Sequence, residues 1–456
     1  MSRRPRGRPT GPALILATLL PLLALACSAT EAPRPTPAGG PAATAEPTAT
    51  AAGAPGTAVP KATPAAAGQP FSPEQAQRGR EILDRVAQIR DTPPRGEVAM
   101  NLIGRREAIE LYRAGLDDAD LEAVALQEEV YGLLGLIPDD TDLLDTFLVL
   151  LGLSIAAFYD PDVKAFYLVD DLGGLDSAAS ETTIVHELVH ALQDQHHDLN
   201  ALGEAIEADW DATRAFASLL EGDAVHTETA YFGRALRSRP TCFAVPPPRR
   251  FLGLPSVVIR ELDTWYDDGL CFVEAVLASV GGRIDGLYAD LPATTEQILH
   301  PDKYLAGEAA MPVALAPLAE SLGAGWRERG RSTLGEFGLQ NLLLLGLDDR
   351  DGVARAVAGW GGDGWVLYER ADARLIEVVT AWDSAAEAAE FWQALAASLT
   401  GRAESDVRVD AAARTLSGSV AGKTWRAALS DTDEVVFVVS SDAASADRVA
   451  AGLGLP

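Results

Sequence analysis

Basic charge is scarce in this chain. Lys and Arg total 37 against 66 Asp and Glu, a formal net charge of −29 at neutral pH. A surface that acidic repels phosphate backbones and offers no basic face to anionic lipid, which argues against nucleic-acid binding and lipid-headgroup recognition. A long hydrophobic run is missing as well. The apolar stretch at residues 13–26 is interrupted by Pro21, and the one after Asp145 is about fourteen residues long, short of the ~20 that a membrane-spanning helix needs. Cysteine is limited to Cys27, Cys242 and Cys271. Histidine is limited to six residues, all between 186 and 300, too few for a metal-storage protein built on His-rich tracts. No long internal repeat is present.

With 456 residues, 48% of them hydrophobic, the chain suits two domains and a leader. Arg3, Arg4, Arg6 and Arg8 form a positive n-region, and Ala13 to Ala26 an apolar h-region. Leu25-Ala26-Cys27 resembles the lipobox of bacterial lipoproteins, with Ala24 where Leu is usual. The resemblance implies lipidation of Cys27 after cleavage, and hence an exported, extracytoplasmic, membrane-anchored lipoprotein; a plain secreted protein is the alternative. Residues 28–70 are almost all Ala, Pro, Thr and Gly without an aromatic residue, a composition that forms a tether rather than a core. Export places Cys242 and Cys271 in an oxidising compartment, where a disulfide between them is expected.

Order is expected from Phe71. Ser72-Pro73-Glu74-Gln75 reads as a helix start, with Ser72 as N-cap and Gln75 three residues on. Helical patterns follow over Asp118–Leu134 and Asp142–Ala157. Ala157 to Asp160 and Lys164 to Val169 flank an Asp-Pro-Asp turn and read as a β-hairpin, which Gly173-Gly174 then breaks. Ser180–Leu192 and Asp209–Ala230 read as helices. From Asp351 the pattern changes to strands at Trp365–Glu369, Leu375–Thr380, Thr424–Leu429 and Val435–Val439 and helices at Ser384–Leu399 and Ala443–Leu453. The expected domains are therefore 1–27 leader, 28–70 tether, 71–350 main domain and 351–456 a small α+β module.

The segment that carries chemistry is Thr183-Ile184-Val185-His186-Glu187-Leu188-Val189-His190-Ala191-Leu192. Positions i and i+4 of a helix share a face, so His186 and His190 can meet one zinc ion while Glu187 points beside it as general base. The apolar flanks bury the helix and dry the site. A catalytic zinc takes a third protein ligand and keeps one position open. Glu221, in Leu219-Leu220-Glu221-Gly222-Asp223-Ala224 on the following long helix, is the main candidate. His196 is the rival, at the spacing that a sharp turn would need; but Gln193 stands where that turn requires glycine. Asp194 and His197 are weaker candidates, and Asp194 and Asp223 are expected as partners behind the ligands.

Thr183–Leu192 together with Glu221 resembles the gluzincin branch of zinc metallopeptidases, the thermolysin-like zincins. Residues 130–305 more widely resemble poorly characterised bacterial exported lipoproteins, through Leu133–Pro138, Phe158-Tyr159-Asp160-Pro161, Glu221-Gly222-Asp223-Ala224 and Thr295 to Pro301. The resemblance implies an α+β fold: a mostly helical zincin-like domain with a small β-sheet, then the small α+β domain. It implies Zn²⁺ on His186, His190 and Glu221, peptide-bond hydrolysis with Glu187 as base, and a peptide or protein substrate lying along the Phe158–Val169 hairpin. His300 is expected as oxyanion stabiliser, with Tyr304 and His226 behind it. The family's aspartate four residues after the glutamate ligand is here Val225, which puts the support of the first histidine in question. A catalytically inactive zincin-like scaffold is the alternative reading.

Overall fold

The computed structural model describes residues 67–170, 178–206, 208–233, 240–246, 253–453 and 455. The expected leader, Cys27, most of the tether and Gly173-Gly174 lie outside them. The fold is α+β, helices with two sheets.

The first sheet has the order β1-β2-β4-β3. Its strands are β1 (Gln69–Pro70), β2 (Ala99–Ile103), β3 (Ala157–Asp160) and β4 (Ala165–Val169). β3 and β4 form the expected antiparallel hairpin, with Phe158 opposite Tyr167. Asp160 Oδ1 closes its turn by accepting from the amides of Asp162 (2.9 Å) and Val163 (3.3 Å). β2 adds to β4 in parallel, and β3 is left at the edge. Gln69 and Pro70 pair with Leu102 and Asn101, so the last two residues assigned to the tether belong to the sheet.

The helices begin where the caps predict. In α1 (Pro73–Arg90), Ser72 and Gln75 form a capping box; Ile82 and Val86 are buried and Ile89 is exposed. α2 (Asp118–Leu134) is held by an Asp117/Asp120 box and ends on the left-handed Gly135. α3 (Leu143–Ser154) stops three residues short of Ala157, because Ala157 already pairs in β3. α4 (Ala178–His197) carries the histidines and runs a full turn past Leu192. α5 (Trp210–Phe232) carries Glu221. α6 (Ser256–Asp263) continues through a π-helical turn, Thr264–Asp268, into α7 (Gly269–Val280). Cys242 and Cys271 are joined by a disulfide.

The second sheet is antiparallel, in the order β5-β6-β7-β11-β10-β9-β8. The strands are β5 (Arg327–Ser332), β6 (Trp360–Arg370), β7 (Ala373–Trp382), β8 (Arg408–Asp410), β9 (Thr415–Val420), β10 (Lys423–Leu429) and β11 (Val435–Ser440). The expected boundary at Asp351 falls inside this unit, since β5 pairs with β6 across it. One apolar cluster also joins Tyr131 and Trp265 from the helices to Trp365, Phe391 and Trp425 of the sheet layer. One face of the second sheet therefore shares a core with the helical body, while the other closes a smaller cluster of its own, with Val366, Leu375 and Val438 against Leu322, Trp326 and Val449.

Candidate metal centre

α4 packs against α1, α5 and the β3–β4 hairpin. Ile184, Val185, Leu188, Val189 and Leu192 are all fully buried in one cluster with Phe166 of β4 and Val86 of α1. Those apolar positions leave His186, Glu187 and His190 on one side of the helix. The two imidazoles lie 5.0 Å apart between ring centroids. The nearest ligand atoms of His186, Glu187 and His190 are all within 4.8 Å of one another. Glu221 comes in from α5, its Oε2 lying 3.0 Å from His186 Nε2 and 3.7 Å from His190 Nε2. Tetrahedral zinc bonds of about 2.0–2.2 Å place neighbouring ligand atoms about 3.3 Å apart, and the two observed spacings bracket that value. Two neutral imidazoles and one carboxylate also form a donor set that zinc favours.

The backing of these side chains fixes their protonation. Gln193 donates through Nε2 to Leu220 O (3.1 Å) and to Asp223 Oδ2 (2.8 Å). Its Oε1 must then accept, so His190 donates to it from Nδ1, 2.8 Å away, which turns Nε2 towards Glu221. Asp223 is buried and also takes bonds from Tyr288 Oη (2.7 Å) and Arg90. His186 Nδ1 faces Glu228 Oε2 at 3.5 Å. Glu228 lies two helical turns after Glu221 on the same face, and it, not Val225, is the acidic side chain beside His186. The ring of Tyr266, on the π-helical turn, lies 6.0 Å from that of His186.

Glu187 accepts the backbone N–H of Tyr159 on one oxygen, Oε2, at 2.9 Å. Its other oxygen, Oε1, is buried without a partner among the described residues. Burial pushes the Glu187 carboxyl up to about 7, against the pull of His190 and His186. Burial would also raise Glu221, but the charge and hydrogen bonds of the two imidazoles outweigh it and bring it down to about 2. Burial opposes the charged form of His186, yet its bonds to Glu221 and Glu228 lift it to about 10. The space between these groups thus favours positive charge.

Other expected site residues stand elsewhere. Asp194 accepts Tyr159 Oη at 2.7 Å and Lys164 Nζ at 2.8 Å; instead of backing a ligand histidine it ties the hairpin to α4, and so holds the Tyr159 amide on Glu187. His300 is half-buried with Nε2 at 3.1 Å from Glu336. Among the described residues, the groups in polar or ring contact with the centre are Tyr159, Gln193, Glu221, Glu228 and Tyr266, and His300 is not one of them. Tyr304 Oη is bonded to Asp290 O. His196 Nε2 faces the Pro93 carbonyl at 2.8 Å, which removes it as a third ligand, and His197 stacks on Tyr288 beside Asp285. Sequence reasoning missed Gln193 as a partner, Glu228, Tyr266, Arg90 and Tyr288. Only Glu228 carried a signal, its seven-residue spacing from Glu221.

Residues 320–450 match a family described as Domain of unknown function (DUF8575). No curated protein matches the chain, and no solved structure does. The matched segment covers the second sheet and leaves the centre on α4 and α5 outside it.

Proposed function

We propose that the chain is a zinc-dependent peptidase of the gluzincin type, with His186, His190 and Glu221 as metal ligands and Glu187 as general base. The observation that carries the reading is a single buried carboxylate, Glu221, shared by two imidazoles whose far nitrogens face Gln193 and Glu228, with the partnerless Glu187 Oε1 beside it. A bound Zn²⁺ supplies Lewis-acid activation of water and of the scissile carbonyl at neutral pH. Glu187 Oε1 takes the proton of the attacking water and returns it to the leaving amine. The Tyr159 amide orients Glu187 through its other oxygen. β3 is the edge strand of its sheet, and the proposed course of an extended peptide substrate is along it. The disulfide fits an oxidising compartment. With no helix of the described residues long and apolar enough to cross a membrane, Cys27 is the proposed lipid anchor, placing the enzyme at the outer face of a bacterial membrane.

A non-catalytic zinc-binding scaffold is the second reading. It is favoured by burial: His186 and His190 are 2% exposed, Glu221 1% and Glu187 0%, so a substrate must open a path to the centre. Cleavage of a mixed peptide library by wild type and Glu187→Gln, compared at equal zinc content, separates the two. Loss of the base costs about 10²–10⁴-fold in rate if the peptidase reading holds. Equal cleavage by both proteins overturns Glu187 as base, and zinc-loaded wild type without cleavage supports the scaffold.

A further inference from the structure

A second site stands apart from the histidine centre. α6 presents Arg260 to a cleft with about 110 Å³ of accessible space. The walls are apolar: Leu136, Val257, Leu344, Leu345 and Leu347, with Pro246 at one side. One water needs only about 10–15 Å³ of such space, so the cleft has room for a small ligand.

Arg260 is the unusual member. It is 5% exposed, and among the described residues its guanidinium bonds only to neutral acceptors. Nη1 donates to Asn341 Oδ1 at 2.7 Å and Nη2 to Gln340 Oε1 at 3.0 Å. The Asn341 amide is held in that sense because its Nδ2 donates to Phe337 O. Nε has no acceptor among the described residues. Asp263 and Asp268, on the same helical run, act on it through space without a hydrogen bond. Arg214, on α5, shows the usual solution: it is equally buried and lies 3.2 Å from Glu261. A buried charge without a bonded counter-ion is expensive, and the cost is recovered when an anion binds beside it.

We propose that this cleft is a binding site for a small monocarboxylate with an apolar chain, the carboxylate seated at Arg260 and the chain against Leu344, Leu345 and Leu347. A hydrated dianion such as phosphate is disfavoured by the leucine walls, and a neutral apolar ligand leaves the guanidinium unpaired. Asp348 and Arg350 are both exposed at the rim, and their opposite charges offset one another.

The test is calorimetric titration of the intact protein with butanoate, hexanoate and octanoate, beside hexanamide and inorganic phosphate. One saturable site for the carboxylates is expected, with hexanamide weaker by about tenfold or more, the worth of one charge-assisted bond. Arg260→Met removes the charge at similar length and loses the carboxylate preference. Leu347→Trp fills the cleft from its half-buried wall and weakens hexanoate by a similar factor; it decides the matter if the Arg260 variant does not fold. Equal binding of hexanoate and hexanamide overturns the proposal, as does binding of phosphate alone, binding of none of the carboxylates, or unchanged hexanoate binding in folded Leu347→Trp.

Discussion

Gly222→Ala is the sharpest test of how Glu221 is held. α5 and α7 cross with glycine against glycine. A Cβ on Gly222 would sit 2.2 Å from the carbonyl carbon of Gly269 and 2.7 Å from the amide nitrogen of Leu270. Carbon atoms settle at about 3.5–4.0 Å, so the helices must part by more than about 1 Å, and the obstructing atoms are backbone with no rotamer to change. Overpacking of this kind costs about 1–3 kcal/mol. Alanine regains close to 1 kcal/mol through helix propensity, leaving a net loss of up to about 2 kcal/mol. The adjacent residue is Glu221, so the same displacement moves its carboxylate off the two imidazoles, and zinc affinity falls together with stability. Urea denaturation followed by circular dichroism measures the first, and competition with a chelator the second. Gly286→Ala is the control, since nothing lies within 4 Å of a Cβ there; it should be neutral. Gly222→Ala as stable as wild type, with zinc affinity unchanged, would refute the close crossing as the device that positions Glu221.

Three further outcomes follow from the buried charges and the disulfide. Arg90→Met strips the cation from the Arg90–Asp223 pair, whose side chains are 1% and 0% exposed, and should cost about 3–5 kcal/mol in denaturant melts; a loss under about 1 kcal/mol would mean that Asp223 does not depend on it. Cys242 and Cys271 are 29 residues apart, so replacing both by Ser should cost about 3–4 kcal/mol by loop entropy, and melting that is insensitive to reductant would contradict this. Burial pushes Glu377 up to about 7, against ~4.3 unfolded. Its neutral form is the stabilising one, so that contribution is complete below about pH 4 and is lost as pH rises through about 7. Glu377→Gln keeps an acceptor for the Ala316 amide and should gain thermal stability over wild type at about pH 8 but not at about pH 4; an equal effect at both would dismiss the ionisation.

Local signals were legible where they were self-contained. Asp118–Leu134 and Ala443–Leu453 have the ends that the sequence pattern predicts, and Ser72 with Gln75 marks the start of α1. The histidine helix and Glu221 were readable because i, i+4 spacing and a Glu-Gly pair in an apolar helix are chemical statements in themselves. What needed the fold was long-range. β2 carries no pattern that names its parallel partner β4, 66 residues later at every pair. β5, Arg-Glu-Arg-Gly-Arg-Ser, is a polar strand that exists because β6 offers it an edge. Asp194 sits on the face that a ligand partner would occupy, but the hairpin's Tyr159 and Lys164 reach it first. His300 had a suggestive context, Leu-His-Pro, and that context serves the contact with Glu336. Arg90, Tyr288 and Tyr266 gave no sign at all, since nothing in their neighbours points to a partner on another helix.

The central claim is that His186, His190 and Glu221 together hold one zinc ion. Anomalous diffraction at the zinc edge, from crystals of residues 67–456 grown with zinc and washed free of excess, tests it most directly. A single strong peak bonded to His186 Nε2, His190 Nε2 and a Glu221 carboxylate oxygen, at about 2.0–2.2 Å, is the predicted result. A peak bound instead at His196 and His197, or no peak between the two helices, would contradict the account.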